Sequence, residues 1–172
     1  MKDKLLIDAD YLVYKACAYN EHDIDYGRDV IVVASNFTEV MRNINRDVKK
    51  ITSKFDNMEA VLFFSDSENF RKLIYADYKG NRNRKKPCGY RRAIEALRDD
   101  YELVELPLLE ADDTLGLYAT TYPDNLIVSP DKDLRPIPGL LSAFHPTLHV
   151  TPYAGYQWHF GPTLHATPSN SS

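Results

Sequence analysis

The chain has 172 residues, 44% of them hydrophobic, which suits a single globular core. Its formal net charge of −4 argues against a uniformly basic nucleic-acid binder, although a phosphate backbone senses the distribution of charge and not the sum. No apolar stretch approaches the ~20 residues of a membrane span, the N-terminal apolar run is only Leu5 to Ile7 and is followed by acids, and Cys17 and Cys88 fall in no metal or disulfide spacing. A membrane protein, a secreted disulfide scaffold and a zinc protein are therefore disfavoured, and a reduced, cytoplasmic chain is expected.

Lys4-Leu5-Leu6-Ile7-Asp8 reads as a short buried strand ended by an acid, the pattern of a parallel sheet delivering a side chain to its C-terminal edge. A helix is predicted to follow, with Asp10 as its N-cap. Val33, Phe37, Val40, Met41, Ile44, Val48, Ile51 and Phe55 recur at three- and four-residue intervals and predict one amphipathic helix. Ala60 to Asp66 reads as a second buried strand, again ending at an acid.

From Asn69 to Pro87 the chain is polar and basic and reads as an excursion from the core. Between Arg71 and Arg92 lie nine of the 21 basic residues, opposed only by Asp77, with Tyr75 and Tyr78 interleaved. A charge run of this kind is often just a solvated face. The interleaved tyrosines and the place between two acidic strand ends favour nucleic-acid binding, since bases stack on aromatic rings within a cationic groove.

A helix over about residues 89–100, a strand over 101–106, a helix from Glu110 to about Thr121 and a strand over 125–129 complete the alternation. It predicts a mostly parallel sheet with helices on both faces and ligands where strands end. From about Phe144 the chain changes character, with four prolines, four of the five histidines and Trp158, and no periodicity. Residues 1–143 are read as the core, with the excursion at about 69–92, and residues 144–172 as an atypical, poorly ordered tail.

Asp8, Asp66, Glu110, Asp112, Asp113, Asp131 and Asp133 all fall at or just beyond strand ends. Each taken alone is equally well a turn or capping residue. Together they line one edge of the sheet, where unpaired carboxylates repel one another and are neutralised by cations. Oxygen ligands suit Mg2+ or Mn2+, and a pair of such ions about 3.5–4 Å apart is the arrangement used in phosphodiester hydrolysis.

Leu6-Ile7-Asp8-Ala9-Asp10, Phe64-Ser65-Asp66, Asn69-Phe70-Arg71-Lys72, Asp77-Tyr78-Lys79-Gly80-Asn81-Arg82, Glu110-Ala111-Asp112-Asp113 and Ser129-Pro130-Asp131-Lys132-Asp133-Leu134, in this order over roughly residues 4–141, resemble the 5′-nuclease family, especially bacteriophage 5′→3′ exonucleases and flap endonucleases. The resemblance implies a PIN-like (resolvase-like) α/β core with a basic arch or clamp. It implies two-metal phosphodiester hydrolysis on DNA with a 5′ end or flap, in replication, recombination or repair, with RNA in RNA–DNA hybrids as a further substrate. It makes the seven carboxylates metal-binding and catalytic, adds Lys79 as a catalytic contact to the scissile phosphate, and places Arg71, Lys72, Tyr78, Lys79, Arg82, Arg84, Lys85 and Lys86 on the nucleic acid. Neither a membrane nor a small-molecule cofactor is implied, and the location is the cytoplasm, that of the host if the chain is phage-encoded.

Where the family continues into a helix–three-turn–helix element that supplies further aspartates to the second ion, this sequence reads Gly161-Pro162-Thr163-Leu164-His165. A C-terminally truncated, frameshifted or split member is expected, with the second ion site incomplete and activity weakened. The alternatives are an activity-impaired DNA-end-binding remnant, a stand-alone PIN-type ribonuclease, and a phosphatase with Asp8 as nucleophile, which would leave the basic segment unexplained.

Overall fold

The computed structural model describes residues 4–55, 58–80, 85–134 and 137, with the backbone of residues 140–142, 149–150, 156–160 and 164–168. Strand β1 (Lys4–Asp8) runs through the middle of a six-stranded sheet. Its parallel neighbours are β4 (Glu59–Phe64) and β6 (Leu126–Val128), with β5 (Glu102–Glu105) beyond β4 and β7 (Leu140–Ser142) beyond β6. Strand β8 (His149–Val150) pairs antiparallel with β7 at one edge.

The alternation of side chains along β1 divides the core into two layers. Leu5 and Ile7 join a cluster with helices α1 (Ala9–Tyr19), α2 (Phe37–Thr52) and α4 (Tyr90–Leu97), whereas Leu6 joins Val61, Phe63 and Ile127 beneath helix α5 (Ala111–Thr121). Leu5, Leu6 and Ile7 are at most 1% exposed. Burial of each such side chain stabilises by about 1.5–3 kcal/mol, so a strand of five residues anchors both layers. Strand ends at one edge and helices on both faces agree with the sequence pattern.

The helix predicted to begin near Val33 begins instead at Phe37. Asn36 caps it, its side chain accepting the Glu39 N–H at 3.3 Å, and Val40, Ile44, Val48 and Ile51 form its buried stripe. Val33 belongs to β3 (Ile31–Ser35), which pairs antiparallel with β2 (Glu21–Asp25) in a hairpin apart from the main sheet. Gly27, Arg28 and Asp29 turn the chain with positive φ, and Asp25 accepts the Gly27 N–H at 2.7 Å. The β-branched run Ile31-Val32-Val33 wins here over the helical spacing that Val33 happens to fit.

Within the basic excursion, residues 70–74 form the short helix α3 (Phe70–Ile74), and a turn over 76–80 ends at Gly80. Gly89 re-enters the core as the N-cap of α4 with φ of 84°, a conformation glycine adopts without strain. Residues 81–84, with Arg82 and Arg84, lie outside the described residues. Of the tail expected from residue 144, β8, β9 (Tyr156–Phe160) and β10 (Leu164–Pro168) are described, the last two as an antiparallel pair.

Candidate active site

Parallel strands β1, β4, β5 and β6 end at the same edge, and each is followed by acidic residues. Asp8, the last residue of β1 and the N-cap of α1, is 7% exposed and accepts the Ser129 hydroxyl at 2.9 Å. Burial pushes its carboxyl up to about 6; Asp10 and Asp131 push the same way, and the Ser129 hydrogen bond opposes them. Asp112, in the first turn of α5, is pushed up to about 7 by burial and then by Asp8, Asp131 and Glu110, with Lys79 opposing. Five carboxylates from three separate chain segments, Asp8 and Asp10, Glu110 and Asp112, and Asp131, thus share one electrostatic neighbourhood.

Glu110, the N-cap of α5, accepts the Asn69 amide at 2.6 Å and the Lys79 ammonium at 2.7 and 3.0 Å. Burial of Lys79 works against its charge, yet Glu110 holds its pKa above the usual lysine value. The loop after β6 is ordered locally: Asp131 donates its N–H to Ser129 Oγ at 3.1 Å, and Asp133, itself exposed, donates its N–H to Asp131 Oδ1 at 2.9 Å.

Asp113 and Asp66 have other partners. Both oxygens of Asp113 accept from the Arg71 guanidinium at 2.6 Å, which holds the carboxyl below its usual value, and one also accepts the Glu110 N–H. Arg71 is stacked at 4.6 Å on Phe70 and lies 5.7 Å from the Tyr78 ring centre. The arginine expected to grip a strand is thus tied to the start of α5. Asp66 accepts the Leu108 N–H at 2.7 Å, the main cause of its lowered pKa, and its own N–H reaches the Leu109 carbonyl at 3.0 Å. It holds the β5–α5 loop where Leu108 takes a φ of 64°. Asp66 still faces Glu110 across a cavity of about 210 Å³ that Asn69, Lys72, Tyr78 and Lys79 also line. Lys85 and Lys86 are exposed, the latter 4.3 Å from the Tyr90 ring centre.

Asp10, read from the sequence as a cap, lies instead in the first turn of α1. It accepts the Ser65 N–H at 3.1 Å and the Tyr90 hydroxyl at 2.5 Å, joining α1, the end of β4 and α4. Burial, and then Asp10, raise the Tyr90 pKa. Ser129, Asn69 and Tyr90 support the acidic edge without having been singled out for a role. Pairings across 80 or 121 residues leave no local signal in one sequence.

The donor set fits a hard divalent cation in chemistry: it is all carboxylate oxygen, and its members raise one another's pKa values. Among the described residues, no three Asp, Glu, His or Cys side chains stand close enough to close a coordination shell. Among them too, no helix is long and apolar enough to cross a membrane.

A parallel sheet edged with these acids defines a resolvase-like α/β domain. The family described as 5′-3′ exonuclease, N-terminal resolvase-like domain, matches residues 3–138, and the chain belongs to it. Solved structures share the fold. The T5 D15 protein co-crystallised with metal ions superposes with a TM-score of 0.59 at 11% identity, over 81% of this chain and 54% of that one. The bacteriophage T5 D15 flap endonuclease in a pseudo-enzyme–product complex with DNA and metal ions gives 0.56 at 10%, over 81% and 54%. The catalytic core of Rad2 with DNA substrate gives 0.54 at 14%, over 87% and 45%. The chain thus spans about half the length of these proteins. No curated protein matches it in sequence.

Proposed function

We propose that the chain carries the catalytic core of a metal-dependent 5′-nuclease that hydrolyses DNA at or near a 5′ end or flap. The reading is carried by the convergence of Asp8, Asp112, Asp131 and Glu110 at the strand ends, with the Lys79 ammonium hydrogen-bonded to one of them. Asp8, Glu110, Asp112 and Asp131 are the carboxylates that would hold one or two Mg2+ or Mn2+ ions by drawing closer than they stand here, with Asp66 across the cavity. Bound there, such ions supply an activated water and charge stabilisation on the departing oxygen.

The residues of the chain do the rest. Ser129 fixes the Asp8 carboxylate and, with the Asp133 N–H, shapes the Asp131 loop. Lys79 presents a cation beside the acids, where a phosphate would otherwise be repelled. Lys72, Lys85 and Lys86 extend that positive path for a strand, and Tyr78 adds an aromatic face.

The test is incubation of the purified protein with a 5′-flap DNA and Mg2+ or Mn2+. Product appears with wild type and falls at least about a hundredfold with Asp112→Asn, as loss of a transition-state contact demands; no product at enzyme excess with either ion overturns the proposal. A second reading, an end-binding protein with little turnover, draws support from the open spacing of the carboxylates. It requires salt-sensitive DNA binding that Asp131→Asn leaves intact, without cleavage.

A further inference from the structure

The hairpin of β2 and β3 stands out from the core. Its base is fixed, because Glu21 accepts the Cys88 N–H at 3.2 Å. Beyond the base, successive strand residues point to opposite faces, and Ile31, Val32 and Val33 are 61%, 46% and 43% exposed, so both faces of β3 are open. Two strands without a covered face are marginal in water, and a third strand is one way to complete them. Tyr26 donates its N–H to the Val30 carbonyl at 2.9 Å; alternation down the ladder from that pair turns the N–H and C=O groups of Ile31 and Val33 outward. Among the described residues, neither of these two N–H groups has a hydrogen-bond acceptor. At the matching positions β2 carries Asp23 and Asp25, and charges of this kind keep an edge from pairing. The edge of β3 carries no charge.

The register selects the occupant. Asp25 lies opposite Ile31 and Asp23 opposite Val33, so two acids and two β-branched side chains share one face, while Ile24 and Val32 share the other. A strand added beside β3 meets Ile31 and Val33 on the first face, with the acids one strand further on. Strands lie about 4.8 Å apart, and a lysine or arginine laid over a β-branched neighbour covers it with its apolar stem and carries its charge to the acid beyond. On the second face the added strand meets Val32 and calls for apolar residues. Nucleic acid does not fit, because Glu21, Asp23, Asp25 and Asp29 outnumber Arg28 and repel phosphates. A second copy would bring the same acids and no cation on its own β3. We propose that the free edge of β3 docks an extended segment of a partner protein in which basic and β-branched residues alternate, as the third strand of the hairpin. The inference does not depend on the nuclease reading above.

The test is fluorescence anisotropy with two labelled peptides of the same composition, one alternating Lys and Val and the other with all its Lys before its Val. Both carry the same charge, and only the first matches the register. Wild type binds the alternating peptide about tenfold more tightly, and saturation with it slows hydrogen exchange of the Ile31 and Val33 amides at least about tenfold. The Ile31→Lys, Val33→Lys variant, with an unchanged circular dichroism spectrum, binds the two peptides alike. Equal binding of the two by wild type overturns the inference, as do amides that exchange as fast with the alternating peptide as without it, and neither measurement needs a variant. Preference retained in the variant overturns it as well. A wild type that sediments as a dimer, which the variant breaks, overturns the choice of occupant in favour of a second copy.

Discussion

Replacing Asp8 with Asn separates the cost of the acidic edge from its use. Asp8 is 7% exposed and its carboxyl is pushed from 3.8 up to about 6, a difference of about 2 pH units, so the ionised form destabilises the fold by about 3 kcal/mol. The folded pKa is raised. The contribution to stability is therefore intact below about pH 4, is lost as pH rises to about 6, and leaves the full penalty above that. Asn keeps an oxygen that accepts the Ser129 hydroxyl, so charge is the principal change. In chelator at pH 8, Asp8→Asn should melt about 6–12 °C above wild type, because 1 kcal/mol shifts a domain of this size by about 2–4 °C. At pH 4 the gap closes to about 1–2 °C, and Mg2+ at pH 8 narrows it by stabilising wild type alone. Scanning calorimetry under the three conditions decides the matter. An equal gain at pH 4 and pH 8, or none at pH 8, refutes the argument that a buried charge sets the cost.

Lys79→Ala should lower flap cleavage at least tenfold while moving the melting temperature by no more than about 2 °C, since its pair with Glu110 is partly exposed; a parallel loss of stability points to a structural lysine. A double-mutant cycle of Arg71→Ala and Asp113→Asn should give a coupling of about 1–2 kcal/mol in urea unfolding, discounted for the 31% and 25% exposure of the side chains, and no coupling means the pair does not hold α3. Tyr90→Phe strips Asp10 of a hydrogen bond and should cost about 1–2 kcal/mol by the same measurement; a neutral result removes the link between α1 and α4.

Strands β1, β4 and β6 are legible because they are continuous apolar runs closed by polar residues, and their order alone puts acids at one edge. The same reading mistook Val33 for helix, since three- and four-residue spacing is satisfied by chance at the boundary of a true helix. Asn36 followed by Glu39 is a capping signature that marks the actual start, and Gly27 marks the hairpin before it. Within the site, residue type was readable and partnership was not. Asp113 and Asp112 are adjacent acids in one helical turn, yet one meets an arginine 42 residues away and the other meets carboxylates. Asp10 likewise looks like a cap until Ser65 and Tyr90 come to it across the fold.

The central place of β1 governs when the site exists. The Lys4 N–H at its start is paired by Asn125 and the Asp8 carboxylate at its end by Ser129, each 121 residues further along the chain. Contacts of such sequence separation form slowly. The Asp8 carboxylate therefore lacks its Ser129 hydrogen bond until the segment that follows β6 is in place, and Asp131 joins the other carboxylates only when β6 docks. The repulsion that Asp131 adds to Asp8 and Asp112 enters at that step, so a divalent cation bound at the acidic edge would favour the docking of β6 as well as the finished site.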